Sequence, residues 1–191
     1  AFTGWMYDKM KAVFGDIGVD SADAFYAAVN RVQKDFIRTE ADELQYNLHI
    51  MMRFDLERAL ISGDLPVTDL EQAWNTRFKQ DFGYDVPKAS LGCLQDVHWS
   101  VGLFGYFATY SLGNVYAGCL AQALRADVPD LDSHLAAGNT APATQWLRDN
   151  VQRHGGLYAP REVIGMACGA APTAGPLLDY IEEKFSDLYQ L

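Results

Sequence analysis

The sequence predicts an all-α protein, an irregular multi-helix array with one short non-helical strip near residues 83–102. Three observations carry that reading. Apolar residues recur at helical spacing nearly throughout, with no convincing alternation of period two. Helix-capping and helix-stopping residues fall where the periodic segments begin and end. Hydrophobic residues make up 49% of 191 residues, enough for a sizeable core, since a chain of this size removes roughly 70% of its unfolded surface from water.

Ser21 can cap a helix running to about Lys34, with Phe25, Val29 and Val32 as its apolar stripe. A longer helix is expected from about Phe36 to Ser62. Its apolar positions Leu44, Leu48, Met51, Met52, Leu56, Ala59 and Leu60 keep near-helical spacing, and Gly63 offers the stop. Thr68 with Glu71 reads as a capping box opening a helix to about Phe82, in which Leu70, Trp74 and Phe78 share a face.

Pro87, Gly92 and the polar pair Gln95-Asp96 then break the pattern, giving the irregular but ordered strip. Helix resumes from about Leu103 to Ala126. Shorter helices follow at about 130–137, 141–154 and 160–168. A last one runs from about Ala174 to Leu191 on Leu177, Tyr180, Ile181, Phe185 and Leu188. No repeat, low-complexity run or Pro/Ser-rich linker divides the chain, so residues 1–191 read as one all-α unit.

Charge narrows the function classes. With 15 basic and 25 acidic residues the formal net charge is −10, and no basic cluster marks a predicted face. Nucleic acid and anionic membrane surfaces are therefore excluded as partners. No apolar stretch reaches the ~18 residues of a membrane span. Cys93, Cys119 and Cys168 are odd in number and far apart, which favours a reducing, cytoplasmic setting. Ala1 is not an initiator Met, no signal peptide follows it, and the first residues look cut from the middle of something longer.

No complete catalytic centre is visible. Of the four histidines, His49, His98, His134 and His154, no two stand one helical turn apart as H-E-x-x-H zinc binding requires. Phosphate-binding glycine loops and the G-x-S-x-G elbow are absent.

Three constellations remain. Arg38 and Asp42 are four apart; they form either a surface ion pair or a clamp in which Asp42 holds a guanidinium that grips a substrate carboxylate. Gln95, Asp96 and His98 lie beside Trp99 in the non-helical strip. They read either as a satisfied core histidine or as a site in which Asp96 orients His98 toward a substrate oxyanion. Tyr106, Tyr110 and Asn114 follow at i, i+4 and i+8, either as core with hydrogen-bonded hydroxyls or as a phenol aimed at a developing oxyanion.

Together these segments resemble the carboxypeptidase Taq family of metal-dependent carboxypeptidases. The resemblance rests on I-R-x-x-A-D at Ile37–Asp42 and G-x-x-Q-D-x-H-W at Gly92–Trp99, with Gly105-Tyr106-Phe107, Thr109-Tyr110 and the closing Asp179–Phe185 also similar. It extends over essentially the whole chain. In complete members the H-E-x-x-H motif and a segment supplying a glutamate ligand precede this region. The resemblance therefore implies the C-terminal, substrate-side part of such an enzyme, inactive without its missing N-terminal catalytic segment. No cofactor is expected in this chain, and a divalent metal, zinc or cobalt, is implied for the full-length enzyme.

The implied substrates are peptides with a free C-terminus, and the implied assembly is a homodimer. By the same resemblance His98 and Tyr110 stabilise the tetrahedral oxyanion and Arg38 binds the substrate's C-terminal carboxylate. Tyr106 lines that pocket, and Asp42, Gln95, Asp96 and Trp99 give support. The alternative is a non-catalytic helical interaction module derived from the same fold.

Overall fold

The computed structural model describes residues 1–191 as nine α-helices joined by turns and short 3-10 segments, with no strand. In chain order they are α1 (Phe2–Phe14), α2 (Ala22–Val29), α3 (Glu43–Ser62), α4 (Leu70–Phe82), α5 (Ala108–Asp127), α6 (Leu131–Ala136), α7 (Ala141–Asn150), α8 (Pro160–Cys168) and α9 (Gly175–Tyr189). Two compact units emerge. One comprises residues 1–30 and 114–191, the other residues 31–113.

The larger unit opens with α1, which the sequence reading left unassigned. Its one fully packed side chain is Tyr7, whose hydroxyl donates to the Val19 carbonyl at 3.1 Å. α1 packs on α2 and α6. α2 begins where Ser21 accepts the Ala24 N–H, as expected, but it stops at Val29 rather than Lys34. Asn30 leaves helical geometry there and turns its side-chain amide back to the Tyr26 carbonyl at 2.8 Å. Two glycines mark close approaches. A Cβ on Gly138 would meet the Trp5 ring at 2.3 Å, and one on Gly118 would meet the Leu177 backbone at 2.8 Å. The unit also packs α7 against α6 and α8, and Trp146 donates its indole N–H to Asp127 at 2.7 Å.

The smaller unit, residues 31–113, is built on the packed helices α3 and α4. Met52 and Leu56 of α3 and Trp74 and Phe78 of α4 form its core, with Phe36, Phe82, Tyr84, Val86, Cys93 and Trp99 packed around them. Full burial of side chains of this kind contributes about 1.5–3 kcal/mol each. On α4 the apolar face is Trp74, Phe78 and Phe82, one turn apart, and the Phe78 and Phe82 rings stack at 4.4 Å. Gly63 and Gly83, at φ 83° and 82°, end α3 and α4 in the left-handed conformation that costs other residues energy.

In the larger unit α7 likewise ends at Asn150 rather than 154, where a 3-10 turn at Gln152–His154 follows. In the smaller unit three further features differ from the sequence reading. α3 starts at Glu43, not Phe36, because Asp42 caps it by accepting the Gln45 N–H at 2.8 Å. The residues before it run extended apart from a 3-10 turn at Arg38–Glu40. The Thr68/Glu71 capping box does not form; α4 starts one residue after Asp69, to whose carboxylate Thr68 donates instead. The non-helical strip reaches Phe107, and α5 begins at Ala108, because Gly105 at φ 79° interrupts the helix expected from Leu103. The α3 stripe also differs. Leu44 and Met51 are exposed, while His49, Ile50, Met52, Arg53, Leu56 and Glu57 are buried.

Candidate functional site

Every sequence-predicted site residue belongs to the smaller unit, and the strip after α4 brings most of them together. Its anchor is Gln95. The Gln95 amide donates to the Phe36 and Leu91 carbonyls at 2.9 and 3.0 Å, and its oxygen accepts the Arg38 backbone N–H at 2.9 Å. One side chain thus ties the strip to the chain that enters α3, 57 residues away.

Asp96 is the centre of charge. Its Oδ1 accepts from Arg38 Nε and Nη2 at 3.1 and 2.9 Å, and its Oδ2 accepts from Arg53 Nε at 2.5 Å. Burial alone would raise the Asp96 carboxyl, but the Arg53 and Arg38 guanidinia outweigh it and hold it below the usual carboxylate range. Two cations against one anion leave the cluster one positive charge in excess. Aromatic faces carry the guanidinia. Arg53 lies 4.6 Å over Trp74, and Arg38 lies 5.0 Å over Tyr110. Arg38 also donates from Nη1 to the Tyr46 hydroxyl at 3.2 Å. Burial opposes its charge, while Asp96 and Tyr46 raise its affinity for the proton above the ordinary arginine value.

Asp42 does not hold Arg38. Its two carboxylate oxygens accept the Gln45 and Gln33 backbone N–H groups, since the segment containing both residues is not one continuous helix and the four-residue spacing no longer sets them on one face. Asp96 does not hydrogen-bond His98 either. The nearest approach, Oδ1 to His98 Nδ1, is 3.9 Å, because both oxygens already serve arginines.

His98 is 8% exposed and packs on the buried Phe107 ring at 4.4 Å. Its Nε2 lies 3.1 Å from the Tyr110 hydroxyl, and its Nδ1 is buried without a partner. Burial first, then Arg38 and Arg53 against the opposing pull of Asp96, lower its proton affinity below the ordinary histidine value. Tyr106 is 44% exposed, with its ring 5.8 Å from His98 and 5.4 Å from Tyr110. One imidazole and two phenols therefore gather beside a buried positive cluster. Such a set can donate hydrogen bonds to an oxygen that gains negative charge.

The sequence reading missed Tyr46, His49, Arg53 and Glu57. His49, Arg53 and Glu57 follow at i, i+4 and i+8 on α3 and are all buried. Three ionisable residues one turn apart, on one face of the helix, were the available signal. Arg53 donates from Nη1 to the His49 carbonyl at 2.8 Å and lies 3.3 Å from His49 Nδ1. Burial and then the Arg53 charge push the His49 proton affinity down to about 3. Glu57 accepts the Trp99 indole N–H at 3.2 Å and the Gly105 backbone N–H, which is the support that Trp99 gives the strip. No three His, Cys, Asp or Glu side chains converge as a metal-binding group.

The chain is similar to known metallopeptidases in sequence and in fold. The sequence model of the carboxypeptidase Taq (M32) metallopeptidase family matches residues 1–185. Thermostable carboxypeptidase 1 of Thermus thermophilus is 40% identical over 183 residues, 96% of this chain and 36% of that protein. Carboxypeptidase 1 of Bacillus subtilis is 40% identical over 178 residues, 93% of this chain and 35% of that protein. Among solved structures, the M32 carboxypeptidase of Deinococcus radiodurans superposes with a TM-score of 0.93 at 39% identity, over 100% of this chain and 38% of that one. Metallocarboxypeptidase 1 of Trypanosoma cruzi gives 0.92 at 29% identity, over 96% and 39%. The chain thus spans little more than a third of the length of the relatives it matches.

Proposed function

Since the chain belongs to the carboxypeptidase Taq (M32) family of metallopeptidases, we propose that it is the substrate-side part of a metal-dependent carboxypeptidase that removes C-terminal residues from peptides. The His98–Tyr110 pair carries this reading. As the scissile carbonyl becomes tetrahedral, its oxygen gains charge and accepts hydrogen bonds from the His98 imidazole and the Tyr110 hydroxyl. Donors of this type are worth about 10²–10³ in rate where they have been removed singly.

Arg38 takes the substrate's terminal carboxylate in this reading. A guanidinium has five N–H donors; Arg38 commits three of them to Asp96 and Tyr46, and the remaining two stay available. The excess positive charge of the Arg38–Asp96–Arg53 cluster favours an anion there, and Tyr106 lines the same pocket. Gln95, Asp96 and Trp99 hold the strip in place, and Asp42 supports it only indirectly, by fixing the start of α3.

The divalent metal that the family implies, zinc or cobalt, does not fit the residues present. No donor set converges, Asp96 is engaged by two arginines, and His49 is buried against Arg53. We assign the metal ligands to a part of the fold outside this chain, so the chain alone is inactive. A homodimer in the cytoplasm completes the proposal, supported by the family resemblance and by three cysteines that are all unpaired.

The test is kinetic. In the full-length protein, His98→Ala, Tyr110→Phe and Arg38→Met each lower kcat/KM for a peptide with a free C-terminus by about tenfold or more. Unchanged kinetics in all three would refute the assignment. Stoichiometric zinc retained by the isolated 191-residue chain after dialysis would refute the placement of the metal.

A further inference from the structure

Glu57 is a buried carboxylate that the proposed chemistry does not use. It is 5% exposed, and no lysine or arginine forms an ion pair with it. Such a group is costly unless its oxygens accept hydrogen bonds. Both do. Oε2 accepts the Trp99 indole N–H at 3.2 Å, and Oε1 accepts the Gly105 backbone N–H. These donors flank a seven-residue segment. Trp99 directly follows His98, and Gly105 directly precedes Tyr106 and Phe107. The Phe107 ring is 1% exposed and packs against both His98, at 4.4 Å, and Trp99, at 5.8 Å. Three residues after Phe107, in the first turn of α5, stands Tyr110.

The carboxylate therefore holds together the two ends of the segment that separates His98 from Tyr106 and Tyr110. It does so from α3, a rigid helix, one turn beyond the Arg53 that fixes Asp96. We propose that Glu57 is a positioning residue: it sets the distance and angle between the His98 imidazole and the Tyr110 hydroxyl, and so the geometry of the oxyanion site. The inference rests on the role proposed above for His98 and Tyr110. Removing one acceptor oxygen lets one end of the segment drift. The pair then fails mainly in the transition state, where a small misplacement of a donor is costly.

The experiment uses the full-length enzyme and a double-mutant cycle. Glu57→Gln retains the shape but offers one acceptor where two donors need one each. It is expected to lower kcat about tenfold or more with KM within about twofold. In the Tyr110→Phe background the same change is expected to cost no more than about twofold, because the pair it positions is already broken. A full, additive loss in that background, or wild-type kcat for Glu57→Gln, overturns the inference while leaving the oxyanion role intact. If instead Tyr110→Phe and His98→Ala themselves have no effect, the functional reading fails first. Should Glu57→Gln not fold, Trp99→Phe removes one of the two donors and keeps the packing. A kcat loss that vanishes in the Tyr110→Phe background supports the inference, and unchanged kcat overturns it.

Discussion

The Nε2 of His98 stands 3.1 Å from the Tyr110 hydroxyl, across twelve residues that contain a 3-10 turn, two left-handed glycines and the start of a helix. The pair meets because Phe107 packs on the His98 ring and Glu57 ties the intervening segment to α3. The His98 ring is buried and has two neighbouring cations, and a distinct titration follows.

In histidine-resolved NMR, the His98 ring signals are expected to titrate below the ordinary value of 6.5. Burial disfavours the charged ring most, and Arg38 and Arg53 add to the effect against the opposing attraction of Asp96. A midpoint at or above 6.5 would contradict the buried geometry. Arg38→Met, which deletes one repelling cation, moves the midpoint upward.

Replacing Asp96 exposes the cost of its two partners. Asp96→Asn leaves Arg53, at 0% side-chain exposure, and Arg38, at 8%, without their shared counter-charge. Removing one member of a buried ion pair typically costs 3–5 kcal/mol, so denaturant unfolding of this variant is expected to show about that loss. A loss under 1 kcal/mol would mean that the guanidinia find other acceptors.

Acid stability turns on His49. Folded, it is held neutral down to about pH 3; unfolded, it takes up a proton below about 6.5. The unfolded chain thus binds the extra proton, and the sign of linkage makes stability fall as pH drops from about 6.5 toward 3. The contribution is at most about 1.4 kcal/mol per pH unit. His49→Gln removes this group, and a stability profile measured between pH 7 and 4 should become flatter. An unchanged slope would assign the acid limb to other residues.

Gly105→Ala probes the turn before Tyr106. The backbone there has φ 79°, and an added Cβ meets nothing within 4 Å, so the cost is conformational alone. About 1–2 kcal/mol is the expected loss in unfolding free energy. The same substitution at Gly4, at negative φ inside α1 and equally uncrowded, should instead be neutral or stabilising, since alanine is the better helix former.

Much of this architecture is written in local pattern. The Trp74–Phe78 part of the α4 face, the Ser21 cap of α2, the stops at Gly63 and Gly83, and the irregular strip after Gly83 all depend on residues within one or two turns of each other. The motifs at Ile37–Asp42 and Gly92–Trp99 likewise pointed to the correct family. Where local pattern misled, a longer-range interaction had prevailed. Asp42 and Arg38 looked like helical neighbours, yet Asp42 ends the extended chain as the cap of α3, while Arg38 turns to Asp96, 58 residues on. The polar stripe of α3 was passed over because an apolar count weighs His49, Arg53 and Glu57 as exposed.

The sequence by itself determined the all-α class, most helix positions and the family, because periodicity, caps and contiguous motifs are properties of neighbouring residues. Only the tertiary structure decided which charges meet. A buried arginine, carboxylate or imidazole takes whatever partner the packing of distant segments brings within about 3 Å, and desolvation makes that choice binding. For this chain that choice gave Asp96 to Arg38 and Arg53, left His98 to Tyr110, and gave Glu57 to Trp99 and Gly105.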